Sequence, residues 1–125
     1  MANIFRKFVS LAGGAEARIV IIPTAASSAP GYNYERSWAA SLAREKMGVA
    51  EVTVLHTHDR SVADSAEFVK PVKAATGIWF GGGRQWRLTK AYGGTRAETE
   101  FHKVLSRGGV IGGSSAGATI QGSFL

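Results

Sequence analysis

The chain has 125 residues, 45 % hydrophobic and 19 % charged, with a formal net charge of +6 and no cysteine. That balance describes one folded domain large enough to bury a core, without disulfides or thiolate metal sites. No apolar run approaches the ~20 residues of a membrane helix, and Met1 to Lys7 lacks the apolar core of a secretory signal. The compartment stays open, with the cytoplasm favoured.

Taken in chain order, Ile4, Phe5, Phe8, Leu11 and Ala12 recur at helical spacing after Asn3, a capping residue type, and Gly13-Gly14 stops that helix. Arg18 to Thr24 is a β-branched run, as expected of a strand buried on both faces. Tyr34, Trp38 and Leu42 lie a turn apart and predict a helix that Gly48 ends. Val52 to Leu55 predicts the next strand, and Ala66 to Val69 a short helix disturbed by Pro71. Ile78 to Phe80 and Val110-Ile111 complete the strands. Between them Thr95-Arg96-Ala97-Glu98 has the capping-box pattern, with Ala97, Phe101, Val104 and Leu105 on one apolar face. This alternation predicts an α/β domain, a parallel sheet with helices on both faces, and no linker or repeat divides it.

Two glycine clusters follow apolar runs. After Val110-Ile111 comes Gly112-Gly113-Ser114-Ser115-Ala116-Gly117, which contains G-x-S-x-G centred on Ser115. A strand turning sharply into a helix through such a motif exposes the serine hydroxyl, and small flanking residues relieve the crowded backbone. The N–H of Ala116 would then point where an oxyanion develops. A phosphate-binding loop at a helix start, or a plain turn, fits the same residues. After Ile78-Trp79-Phe80 comes Gly81-Gly82-Gly83, then Arg84-Gln85-Trp86. In an open parallel sheet the carboxyl-end loops share one rim where ligands bind. The two loops would therefore face one crevice, one carrying the nucleophile and the other a second oxyanion N–H and the polar Gln85.

A serine nucleophile needs a base. His102 reads as a surface histidine on the helix before Ser115. His56 and His58 follow the Val52–Leu55 strand, on the crevice rim, and alternate, so that at most one faces the crevice if the strand continues. A substitute base there is the minor reading. Asp59 adjoins the pair but no third ligand has metal-binding spacing, so no metal and no cofactor is expected. The 15 basic residues are scattered through Arg6-Lys7, Arg44 to Lys46, Lys70 to Lys73 and Arg84 to Lys90 without an aromatic-basic platform. They read as solvated charge, with no nucleic-acid or membrane partner. Alternatively, positive charge near Arg84 and Arg87 attracts an acidic substrate.

Phe80-Gly81-Gly82-Gly83-Arg84-Gln85, followed downstream by Gly-Gly-Ser-Ser-Ala-Gly-Ala from Gly112, resembles the cyanophycinase and aspartyl-dipeptidase (dipeptidase E) family of serine peptidases. Arg18 to Ser28, with Pro-Thr-Ala after the strand, resembles it too, and Gln85 and Ala118-Thr119-Ile120 are closer to the cyanophycinase branch. The resemblance spans essentially the whole chain. It implies a three-layer, doubly wound, mostly parallel sheet of the flavodoxin-like, class I glutamine-amidotransferase-like kind. It implies a serine hydrolase that cleaves a peptide or isopeptide bond next to aspartate through an acyl-enzyme. Ser115 matches the nucleophile, Gly83 and Ala116 the oxyanion-hole amides, and Gln85 a substrate-binding residue, with Gly82 and Ser114 beside them.

The family's histidine and acid follow the serine, and its first strand precedes the helix at Ile4. On that reading the chain is truncated, a partial catalytic domain over residues 1–125. The alternative is a non-catalytic α/β remnant, or a weak esterase with a small-ligand pocket. Strand edges along Arg18 to Thr24 or Ile78 to Phe80 would then lie open and recruit another chain, giving a homo-oligomer or complementation by other fragments.

Overall fold

The computed structural model of the chain describes residues 2–24, 44–45, 48–49, 51–81 and 90–113. The first helix, α1 (Ala2–Ala12), turns Phe5, Phe8, Val9 and Ala12 inward at helical spacing, and all four are buried. Asn3 lies inside α1 and so is not its cap. Gly13, at φ 124°, ends the helix with its N–H on the Ser10 carbonyl, a conformation that only glycine adopts without strain. The predicted helix around Tyr34 to Leu42 lies outside the described residues.

Among the described residues four strands follow: β1 (Arg18–Ile22), β2 (Glu51–Val54), β3 (Gly77–Phe80) and β4 (Val110–Gly113). They form one parallel sheet in the order β2-β1-β3-β4. The β-branched and aromatic residues of β1 and β3 feed two cores. Val20, Ile22, Ile78 and Phe80 face one side, and Ile19, Ile21 and Trp79 the other.

The first core is covered by α2 (Arg60–Ala63), α3 (Ala66–Ala74), the helical residues 90–92 and α4 (Arg96–Ser106), through Ala63, Val69, Val72, Tyr92, Phe101 and Val104. The second is covered by α1, whose Phe5 and Phe8 rings meet Trp79 edge-on at 4.9 and 5.3 Å. A Cβ added at Gly77 or Gly112 would stand 2.9 Å from the Phe8 ring, so these glycines let α1 approach the sheet closely. The result is the α/β layering expected, with helices on both faces.

Three local expectations need correction. The helix α3 runs through Pro71 to Ala74 instead of stopping near Val69. Proline in a helix interior costs about 3 kcal/mol, and burial of Val69 and Val72 on either side of it offsets that cost. The capping box at Thr95 does not form. The Thr95 hydroxyl turns back to the Tyr92 carbonyl, and Glu98 accepts from Gly94 N–H. The first amide of α4, Arg96 N–H, is capped instead by Asp64 at 2.8 Å. Finally, β1 and β3 are the two central strands, each paired on both sides. Among the described residues the edges of this sheet are β2 and β4, and on β2 the Arg44 guanidinium occupies the Val52 carbonyl.

Candidate active site

Because all four strands are parallel, their carboxyl ends share one rim. The chain passes from β1 to β2 on one side and returns to β3 on the other, so the strand order reverses between β1 and β3. A crevice outside the strand ends at such a switch point is where open α/β sheets bind ligands.

Each glycine loop leaves the sheet at this rim. Gly81 follows β3 and anchors itself through its N–H to the Ile22 carbonyl of β1 at 3.0 Å. Gly113 ends β4 and lies in register with Phe80. The starts of the two loops are thus one strand spacing apart, ~4.8 Å. Ser114, Ser115, Ala116, Gly82, Gly83 and Gln85 lie outside the described residues, so the structure fixes the points from which they depart.

A polar cluster lies behind the same rim. Thr24, just past β1, is fully buried, and its hydroxyl bonds both His56 Nδ1, at 3.1 Å, and the hydroxyl of the equally buried Tyr92. Thr57 N–H donates to the Tyr92 hydroxyl at 3.4 Å. Arg60 donates to the Lys90 carbonyl at 2.9 Å and to the Gly93 carbonyl, so it closes the helical stretch that carries Tyr92. The Tyr92 ring packs between Phe68 and Phe101.

The strand does not continue to the two histidines. It stops at Val54, so period-two alternation lapses and the His56 and His58 rings meet edge to face at 4.7 Å. Partial burial, and secondarily the charge of His58, lower the His56 pKa from 6.5 to about 4. An imidazole so weakly basic is a poor acceptor for a serine proton near neutral pH, which argues against His56 as the substitute base. His102 lies in the second half of α4, on the way back to the opposite rim. Asp59 is occupied as the cap of α2, accepting from Ser61 N–H and Oγ, and these bonds lower its pKa. Among the described residues no three of His, Asp and Glu group closely enough to hold a metal ion, and no helix is long and apolar enough to cross a membrane.

Sequence reasoning missed the Thr24–Tyr92 bond. Its partners stand 68 positions apart, and no spacing rule links them. The only signal was Pro23-Thr24 closing β1.

The family model described as Peptidase family S51 matches residues 1–124. The cyanophycinase of Synechococcus elongatus is 34 % identical over 126 residues, which cover 98 % of this chain and 37 % of that protein. The cyanophycinase of Nostoc sp. is 31 % identical over 130 residues, 98 % of this chain and 40 % of that one. Among solved structures, a peptidase from an acI-B1 Actinobacterium superposes with a TM-score of 0.66 at 26 % identity, over 94 % of this chain and 49 % of that one. The chain thus spans well under half the length of these two cyanophycinases.

Proposed function

This chain belongs to peptidase family S51, and from that premise we propose that it carries the nucleophile half of a serine hydrolase site. Ser115 is the nucleophile and forms the acyl-enzyme. The N–H groups of Ala116 and Gly83 receive the negative charge that develops on the carbonyl oxygen, and Gln85 orients the substrate beside Gly82 and Ser114. The observation that carries this reading is the register of β3 and β4. Phe80 and Gly113 pair directly, so a serine two residues past one strand and an amide three residues past its neighbour leave from adjoining points of one rim. Oxyanion donors are worth about 3–4 kcal/mol of transition-state stabilisation when they are held in place beforehand, and a pair of parallel strands supplies such a frame.

The substrate class is a peptide or isopeptide bond next to aspartate, supported by the likeness to cyanophycinases. In this reading residues 1–125 are one part of a catalytic domain. The base is supplied in trans, by a second copy within a homo-oligomer or by a further fragment. With β1 and β3 paired on both sides, β2 and β4, the edges among the described residues, are where such an assembly would form.

Hydrolysis of cyanophycin, of aspartyl dipeptides and of simple esters tests the reading, with Ser115→Ala run alongside. Turnover of at least one substrate by the native chain, and of none by the variant at an unchanged melting temperature, is expected. An active Ser115→Ala protein would remove Ser115 from the mechanism.

A further inference from the structure

Three separate stretches of chain meet in the polar cluster behind the rim: Thr24 past β1, His56-Thr57 past β2, and Tyr92 on the helical residues 90–92. One arrangement of the protons fits these contacts. Thr57 N–H donates to the Tyr92 oxygen, the Tyr92 hydroxyl to Thr24, and the Thr24 hydroxyl to His56 Nδ1. Run that way, His56 is neutral with Nδ1 bare. Packing alone does not call for these groups. A valine and a phenylalanine would fill the volumes of Thr24 and Tyr92 without desolvating two hydroxyls.

The network also has a definite place in the connectivity. The stretch on which Gly83 and Gln85 lie is bounded by Gly81 and by the 90–92 helical residues. Gly81 is tied to Ile22, Tyr92 is tied to Thr24, and Arg60 closes the helical end through the Lys90 and Gly93 carbonyls. Both boundaries of that stretch are therefore fastened to the end of β1, at Ile22 and at Thr24 two residues on.

We propose that Thr24, Tyr92 and His56 are positioning residues for the hydrolysis. With the Gly81 bond to Ile22, they fasten Gly81 and the 90–92 helical residues, the two points between which that stretch is strung, to the end of β1. The proposal rests on the reading of Ser115 as nucleophile and deepens it. Their effect passes through backbone placement. Displacement of a reacting group by about 1 Å costs on the order of a hundredfold in rate.

The test labels the native chain, Thr24→Val, Thr24→Ser, Tyr92→Phe and His56→Gln with a fluorophosphonate probe at Ser115. It separates the maximal rate of inactivation from the probe concentration giving half of it. Nitrogen-15 NMR of the His56 ring reports in parallel whether the hydrogen-bond chain is intact.

The expected result is a fall of roughly ten- to a hundredfold in the maximal rate for Thr24→Val, with little change in half-saturation. Thr24→Ser should restore both the rate and the native His56 tautomer. Should Thr24→Val fail to fold, Tyr92→Phe and His56→Gln carry the same comparison. Native-like labelling in variants whose His56 signal shows the chain broken would overturn the proposal. Absence of labelling in the native chain would overturn the hydrolase reading itself, a different and recognisable outcome.

Discussion

A single methyl group at Gly112 probes the packing that supports the end of β4. A Cβ built there stands 2.9 Å from Phe8 Cδ1 and from Trp79 Cε3, and 3.0 Å from Trp79 Cζ3. Neither ring can retreat easily, because Phe8 is 3 % and Trp79 0 % exposed and both pack on Phe5. Two effects oppose each other. Gly112 has no positive φ, so alanine fits the backbone and gains about 0.4–1 kcal/mol by restricting the unfolded chain. Overpacking a dense core costs about 1–3 kcal/mol. The steric term wins, and Gly112→Ala should be destabilised by about 1–2 kcal/mol. For a chain of this length that lowers the melting temperature by about 4–8 °C. Urea unfolding followed by circular dichroism, with an unchanged denaturant slope, gives the free energy directly. In a Phe8→Leu background, where the ring edge is gone, the cost of Gly112→Ala should shrink by about 0.5 kcal/mol or more. A Gly112→Ala protein as stable as the native chain, or an identical cost in both backgrounds, would refute the contact.

Other consequences are open to the same measurements. Arg107 donates to the Val72 and Ala75 carbonyls at 2.7 and 2.9 Å, closing the carboxyl end of α3. Arg107→Ala should therefore cost about 1–2 kcal/mol, and Arg107→Lys, lacking the planar fork, should recover only part of it by urea unfolding. His56, lowered from 6.5 to about 4 in the folded state, binds more protons when unfolded between those values. Stability should thus be full above pH 6.5 and decline as pH falls toward 4. The shift converts to a nominal ~3.4 kcal/mol at ~1.36 kcal/mol per unit, which solvent screening of this half-exposed ring reduces to about 1–2 kcal/mol. Urea midpoints at pH 7 and 4.5 should differ less in His56→Gln than in the native chain, and equal differences would count against the linkage.

The strands were legible in the sequence because burial on both faces leaves runs such as Ile19 to Ile22 and Ile78 to Phe80, which no helical face would produce. The apolar stripes of α1 and α4 were legible for the same reason, since Phe5, Phe8 and Ala12, or Ala97, Phe101 and Val104, repeat at one turn. Pro71 misled because local propensity was weighed without the tertiary burial of Val69 and Val72. The open edges were misplaced because strand order is a property of crossovers, and nothing in the composition of β1 or β3 shows which neighbour each acquires. The rim was legible as two strand ends opening into glycine. What no local pattern could show is the bond between Thr24 and Tyr92, which exists only after β1 and the 90–92 helical residues are brought together.

The central claim is that Ser115 is an activated nucleophile on a rim framed by β3 and β4. Mass spectrometry of the intact chain after exposure to a fluorophosphonate, followed by peptide mapping, tests it most directly. A single adduct, located on Ser115 and absent from Ser115→Ala, is the expected result. No adduct, or an adduct on another residue that persists in Ser115→Ala, would contradict it.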